Sequence, residues 1–373
     1  MKHHSSAKPS RRLRHVVVGV GAGVLGMHRP ALQLEAVELI AVSDVNEALG
    51  QQRAAELGCA FYADHRTMLS ETQPDVAVVL TPHPFHAAIA IDCLQAGCHV
   101  LVEKPMAVHV AEADAMIEAA QRAGRLLAVN FQQRRRPEVQ AARRLIQEGQ
   151  LGLVQHVDMA ETCTRTATYF GLSSWRATWT GEGGGVLMNQ APHNLDLLCY
   201  LMGMPKRVVA WTRTLLHRIQ TEDTAQAMLE WPGGTLGSLR VSTAEAGQPQ
   251  RLEILGTGGY LRLDRGKGEL DFHQFEADLR EYLPQSPHPY GPPAMQPVPV
   301  ALEPGAGDHL SIYRNLHEAI LQGAPLIADG VEGRMSLELA NAMIYASYMR
   351  QEVELPLDRQ AYRALLEDLK AGC

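Results

Sequence analysis

The chain reads as α/β: a parallel sheet flanked by helices, then an α+β domain with a large, mostly antiparallel sheet. Three observations predict this. Through the first third, apolar strand-like runs alternate with helical periods, the spacing that a helix-covered parallel sheet requires. Beyond about residue 135, strand-like runs instead follow one another across tight turns such as Pro232-Gly233-Gly234 and Gly256-Thr257-Gly258-Gly259, which marks antiparallel pairing. With 373 residues, the chain is long enough for two cores.

The first apolar run, over 14–20, breaks into Gly21-x-Gly23-x-x-Gly26 and a helical stretch over 24–35. In such a turn Gly21 permits the tight bend, Gly23 lets the backbone approach a pyrophosphate, and Gly26 lets the helix pack closely on the strand. Val24 and Leu25 open the helix, whose N-terminal amides and dipole favour phosphate. The second run, 38–43, ends on Asp44, 18 residues beyond Gly26 and placed to accept from a ribose diol. Strand, glycines, helix and strand-terminal acid together read as a dinucleotide-binding Rossmann domain. Strands at 76–80, 99–102 and 126–130 and helices at 46–57, 85–96 and 108–123 continue it. The domain is expected over 13–135, behind a polar disordered tail over 1–12.

The second domain, 136–373, is expected to hold the substrate and to mediate oligomerisation. Its first helix, 137–148, ends at Gly149. Strands follow at 153–162, 206–218, 224–231, 235–243, 250–256, 259–263 and 269–273, interrupted by a helix over 185–202. A Pro- and Gly-rich loop over 284–307 precedes two helices, 308–322 and 331–350.

Composition is that of an ordinary globular protein, 46% hydrophobic and 20% charged, with a net charge of −7 that points away from nucleic acid and anionic membranes. Six scattered cysteines without CxxC pairs suit a reducing compartment. Ser10-Arg11-Arg12 ahead of an apolar run imitates a twin-arginine signal. That run is the nucleotide-binding strand itself, and no run reaches the ~20 residues of a membrane span. A cytoplasmic location is expected.

Three stretches carry chemistry. Thr81-Pro82-His83-Pro84-Phe85-His86 follows the third strand, at the carboxyl ends where open α/β sheets bind ligands. Glu103-Lys104-Pro105 follows the strand 99–102, and its ammonium is placed to hydrogen-bond a substrate hydroxyl and stabilise a developing alkoxide. Gly183-Gly184-Gly185 opens the helix of Asn189, His193 and Asp196, spaced i, i+4, i+7 on one face. His193 has the ordinary pKa of a general base near neutrality. No second histidine at helical spacing joins it, so no metal site is expected. Trp175 and Arg176 precede this block as candidate substrate contacts. Arg134-Arg135-Arg136 reads as a solvated cluster.

Taken in order, these motifs resemble the glucose–fructose oxidoreductase / inositol dehydrogenase / MocA (Gfo/Idh/MocA) family. The matching residues are Gly21-x-Gly23-x-x-Gly26, Asp44, Thr81-Pro82 with His86, Glu103-Lys104-Pro105, Asn130-Phe131, Gly149-x-Leu151-Gly152, the triple glycine leading to His193 and Asp196, and Asp329-Gly330-x-Glu332-Gly333. They span nearly the whole chain. The resemblance implies NAD(P)-dependent oxidation or reduction of a hydroxyl or ketone on a sugar, anhydrosugar or cyclitol ring, in a homodimer or homotetramer. It makes Lys104 and His193 catalytic. Gly21, Gly23, Val24, Leu25, Gly26, Asp44, Thr81, Pro82, His83, His86, Glu103 and Lys104 would touch the cofactor. Asn130, Trp175, Arg176 and Asn189 would join Lys104 and His193 at the substrate.

One departure stands out. Many members carry Asp four residues before the histidine, whereas this chain has Asn189, so a proton relay would be simpler or run through Asp196. Asp44 repels a 2′-phosphate, which favours NAD over NADP, and Arg53 is the nearest cation that would reverse this. Redox-neutral glycoside cleavage through a transient keto-sugar is the alternative activity. A NAD-sensing regulator on the same scaffold would need neither Lys104 nor His193.

Overall fold

The computed structural model describes residues 11–21, 23–248 and 250–372, so most of the expected N-terminal tail and Cys373 lie outside the described residues. The chain divides into two compact units. The first holds residues up to Met106, Glu112–Asn130 and Asp308–Val331; the second holds Ala107–Ala111, Phe131–Gly307 and Glu332–Cys373.

The first unit follows the order β1 (Leu13–Val18), α1 (Leu25–Leu32), β2 (Val37–Ser43), α2 (Glu47–Leu57), β3 (Ala60–Tyr62), α3 (His65–Thr72), β4 (Val76–Val79), α4 (His83–Gln95), β5 (His99–Val102), α5 (Val110–Ala123), β6 (Leu127–Val129). Its six strands lie in the order β3-β2-β1-β4-β5-β6 and all pair in parallel. Val16, Val17, Val76–Val79 and Val100–Val102 are almost fully buried, which explains their unbroken apolar pattern. The strand order reverses between β1 and β4, the point where such sheets open a ligand crevice. β3 and α3 were absent from the expected elements, because three residues over 60–62 are too few to show a period.

The segment 308–331, assigned to the second domain by sequence order, returns to this unit. It brings α11 (His309–Gln322), and Val129 N donates to Ala328 O at 3.0 Å beside β6.

The second unit comprises α6 (Pro137–Gln147), β7 (Val154–Thr162), α7 (Ala167–Phe170), α8 (Val186–Asn189), α9 (Pro192–Met202), β8 (Arg207–Arg213), β9 (Thr224–Glu230), β10 (Leu236–Ser242), β11 (Arg251–Gly256), β12 (Gly259–Asp264), β13 (Glu269–Phe275), α10 (Leu279–Gln285) and β14 (Met295–Pro297). It closes with α12 (Gly330–Met349), β15 (Val353–Glu354) and α13 (Arg359–Ala371). Nine strands lie in the order β14-β13-β12-β11-β7-β10-β9-β8-β15, antiparallel except for β7 beside β10. Alternate residues such as Val208, Ala225, Leu239, Leu252 and Leu261 face the helices and are buried. The opposite face leaves Trp211, Met228 and Leu236 about half exposed on adjacent strands.

The expected helix over 185–202 is two helices, α8 and α9. Pro192 sits at the first position of α9, where it lacks an N–H to continue α8. Asn189 and His193 therefore belong to separate helices.

Candidate active site

In the first unit, the glycine turn is held from below by Asp44. Its Oδ2 accepts from Val20 N at 2.8 Å and Gly21 N at 2.9 Å, and its Oδ1 accepts from Asn46 N at 2.9 Å. The carboxylate thus braces the turn and retains one lone pair for a ribose hydroxyl. Gly19, passed over in the sequence reading, is the glycine this crossing demands. It has φ +88°, and a Cβ there would come within 2.8 Å of Thr81 N. The open space around Gly23 and Gly26 departs from the close helix–strand packing expected at Gly26, since a Cβ on either meets nothing within 4 Å. No side chain caps α1. Arg53, the candidate for binding a 2′-phosphate, is paired with Glu56 at 2.8 Å.

Pro82 caps α4, and His83 and His86 lie buried on its first turn. His86 faces Pro105 O at 2.9 Å and Thr81 O at 2.6 Å, and as a neutral ring it donates its one N–H to one of these two carbonyls. Burial lowers its pKa against the pull of those carbonyls. The ring lies between two loops, beside Thr81 and Pro105.

Glu103 is buried. Its Oε1 accepts from His28 Nε2 at 2.9 Å and from the Asn130 amide, and His309 Nε2 lies 3.7 Å away. Its Oε2 accepts from Lys104 N at 3.1 Å, which fixes the backbone that carries the lysine. Burial raises the carboxyl pKa, but hydrogen bonds from His28 and His309 and the charges of His28 and Lys104 hold it well below the usual range. His28 in turn bonds Tyr313 at 3.0 Å.

Two buried side-chain oxygens at the carboxyl ends of this sheet, Asn130 Oδ1 and Thr81 Oγ1, have no hydrogen-bond partner among the described residues. Together with the unfilled space at Gly23 and the uncapped α1, they suit a dinucleotide that brings phosphate oxygens and an amide.

In the second unit, the triple glycine is a packing requirement. A Cβ at Gly185 would lie 1.9 Å from Glu222 O. The Glu222 side chain accepts from Gly185 N at 2.8 Å and Leu187 N at 3.0 Å, starting α8. Burial, opposed by these amides, pushes its pKa up to about 7.

His193 is half-buried at the start of α9, and its ring meets the edge of Phe131 at 5.8 Å. Arg134 is 1% exposed, which overturns the solvated-cluster reading. It donates to Asp196 at 2.7 to 3.2 Å and also bonds Glu332. Burial works against the guanidinium charge, and Asp196 and Glu332 outweigh it. Asp196 is therefore committed to a clamp on α9, and a relay through it is not supported.

Asn189, Trp175 and Arg176 do converge. Tyr169 Oη accepts from Arg176 Nη1 and from Gln190 Nε2, both at 2.7 Å, and donates to Asn189 Oδ1 at 3.0 Å. The Asn189 amide donates to Glu182, which is buried and accepts from Ala177 N at 2.6 Å. A carboxylate thus stands one residue removed from the usual place. Tyr169, Gln190 and Glu182 were missed, having no motif of their own.

Comparison with known proteins identifies the family. Residues 13–131 match the model of the oxidoreductase family with an NAD-binding Rossmann fold, and residues 139–262 match the GFO/IDH/MocA C-terminal domain. The chain is 30% identical over 234 residues to D-glucoside 3-dehydrogenase of Escherichia coli, covering 62% of this chain and 65% of that relative. It is 25% identical to levoglucosan dehydrogenase of Pseudarthrobacter phenanthrenivorans over 88% of this chain and 91% of that one. The structure of the WlbA dehydrogenase from Bordetella pertussis with NADH and UDP-GlcNAcA superposes with TM-score 0.81 at 30% identity, covering 94% of this chain and all of that one. The two matched segments are thus the family's NAD-binding Rossmann domain and its C-terminal domain. The chain belongs to the Gfo/Idh/MocA family.

No helix among the described residues is long and apolar enough to cross a membrane.

Proposed function

We propose that this protein is an NAD-dependent dehydrogenase acting on a ring hydroxyl of a sugar, anhydrosugar or cyclitol. The observation that carries it is the anchored Glu103–Lys104 pair. A buried carboxylate fixes the lysine's backbone, and an ammonium so placed stabilises charge developing on a substrate oxygen. Relatives of this chain named as D-glucoside 3-dehydrogenase, levoglucosan dehydrogenase and myo-inositol 2-dehydrogenase support the substrate class.

NAD, when bound, supplies the two-electron acceptor. Asp44 orders the glycine turn and takes a ribose hydroxyl, while Gly23 and the amides at Val24 and Leu25 receive the phosphates. Lys104 donates to the reacting hydroxyl and lowers its pKa. His193 removes the hydroxyl proton as general base, its helix fixed by the Arg134–Asp196 clamp. Arg176 and Asn189, with Trp175, read the remaining substituents. Thr81, Pro82 and His83 would line the nicotinamide end of the bound cofactor, with His86 beside Thr81 O to position them. The second unit's open sheet face, with Trp211, Met228 and Leu236 exposed on neighbouring strands, supports a homodimer or homotetramer. A net charge of −7 argues against nucleic-acid partners, and five free cysteines among the described residues suit the cytoplasm.

The test is a panel of pyranosides, anhydrosugars and cyclitols with NAD and NADP, following reduced nicotinamide. At least one ring polyol is expected to turn over with NAD preferred, and Lys104→Met is expected to lose on the order of 10³-fold in kcat. A panel without turnover on an enzyme that binds NAD overturns the reading.

A further inference from the structure

We propose that the substrate carries a carboxylate, as a uronic-acid-type sugar does, and that Arg165 and Arg176 bind it; this rests on the dehydrogenase reading above. Both arginines lie in the second unit, Arg165 just beyond β7 and Arg176 in the turns after α7. Their guanidinium carbons stand 5.1 and 4.6 Å from the centroid of the Tyr169 ring. Gln190 links them. Its Oε1 accepts from Arg165 Nη2 at 2.5 Å, and its Nε2 donates to the same Tyr169 hydroxyl that accepts from Arg176. The hydroxyl accepts two hydrogen bonds and donates one, so Tyr169 is saturated. It serves as a template that spaces two cations.

The cations themselves are not saturated. Of its five N–H donors, Arg165 spends one at Nη1 on Thr164 O at 3.0 Å and one at Nη2 on Gln190, while the Tyr169 and Cys163 side chains also draw on the group. Arg176 Nε is buried and has no acceptor. An N–H of a charged group left in that state costs free energy that an incoming oxyanion would recover. The charge count points the same way. Glu182, 3.8 Å from Arg176, and Glu161, which faces both Arg165 and the buried Arg265, are the carboxylates beside the group, and Glu182 is already shared with Asn189 and Ala177 N. Three guanidiniums, Arg165, Arg176 and Arg265, against the carboxylates of Glu161 and Glu182 leave a net positive charge, which a neutral hydroxyl does not need. Planar forks with free parallel donors match a carboxylate. Both arginines are partly exposed, so a small ligand reaches them while their fixed neighbours hold the geometry.

The test compares methyl β-glucopyranoside, its 6-carboxylate analogue methyl β-glucopyranosiduronate, and glucose 6-phosphate as substrates of the full-length enzyme with NAD. The uronate is expected to have a KM at least ~10-fold below that of the neutral glycoside, an advantage that shrinks as ionic strength rises. Arg165→Gln should abolish most of that ratio, acting on KM more than kcat. Arg165→Lys, which keeps the charge and loses the fork, should retain part of it. Melting temperatures of both variants separate misfolding from lost recognition.

Equal use of the uronate and the neutral glycoside overturns the carboxylate inference and leaves the dehydrogenase reading standing. Preference for the phosphate ester also overturns it, in favour of a phosphoryl group. If none of the three is oxidised, the dehydrogenase reading loses support, and calorimetric titration of the uronate into the NAD-loaded enzyme decides the inference. Binding to the wild type that is lost in Arg165→Gln sustains it, and absence of binding ends it.

Discussion

The two units brace the backbone beside their candidate reactive residues with buried charged groups of different kinds. In the first, an anion is buried: Glu103 lies under His28, His309 and Asn130 and holds the backbone of Lys104. In the second, cations are buried. Arg134 holds Asp196, three residues past His193, and Arg265 holds Asn194, the next residue after it. Arg265 also pairs with Glu161 at 2.9 Å. In each case an internal ion pair fixes the main chain next to the functional side chain. Charged clamps of this kind are costly to bury and costlier to break, so they belong where position matters more than stability.

The largest effects should come from breaking one clamp at a time. His28→Ala removes a principal donor from Glu103, and Arg134→Met strands Asp196. Each is expected to destabilise its own unit by about 3 to 5 kcal/mol. Denaturant unfolding followed by hydrogen exchange should place the first loss in the first unit and the second in the second. Loss distributed evenly over both would break the contrast.

The pH response sharpens it. In the first unit, burial lowers His15 from 6.5 to about 4, with His317 beside it at 3.2 Å. Below pH 6.5 the unfolded chain takes up a proton that folded His15 refuses, so this unit loses stability as pH falls toward 4. In the second unit, burial raises Glu222 from 4.5 to about 7. Between those values the folded chain binds the extra proton, so this unit loses stability as pH rises toward 7. Each group is worth on the order of 2 to 3 kcal/mol over its window. Glu222→Gln keeps an acceptor for Gly185 N and Leu187 N, and it should flatten the 4.5–7 slope without touching the acid limb.

A smaller effect tests the cofactor turn. Asp44→Asn removes the charge that repels a 2′-phosphate while keeping an acceptor for Val20 N and Gly21 N. The NAD-over-NADP preference should fall by about 10-fold, or roughly 1.4 kcal/mol, read as a ratio of kcat/KM values. Smallest is the Asn46 cap of α2, which accepts from Leu49 N at 3.1 Å. Asn46→Ala should cost about 1 kcal/mol, confined to the first unit.

Much of the fold was legible because local pattern decided it. Buried parallel strands show as continuous valine runs, and sheet strands in the second unit show as alternation. The glycine turn, Asp44 and Glu103-Lys104-Pro105 are contiguous or placed by one βαβ unit, so spacing alone locates them. What stayed hidden is long-range. Glu103 meets His28 across 75 residues, and His28 meets Tyr313 across 285. No period in the sequence announces that 308–331 returns to the first unit. Burial was misjudged for the same reason. Arg134 stands in a run of three arginines that looks solvated, and only Asp196 and Glu332, 62 and 198 residues away, make its burial tolerable. The helix break was legible in Pro192 and was outweighed by the apolar stripe around it.

The most direct test of the division of labour is His193→Asn, measured for NAD affinity and for kcat on the best substrate of the panel. The first unit should bind NAD within about threefold of the wild type, while kcat falls by on the order of 10² to 10⁴. Weakened NAD binding with kcat preserved would contradict the account.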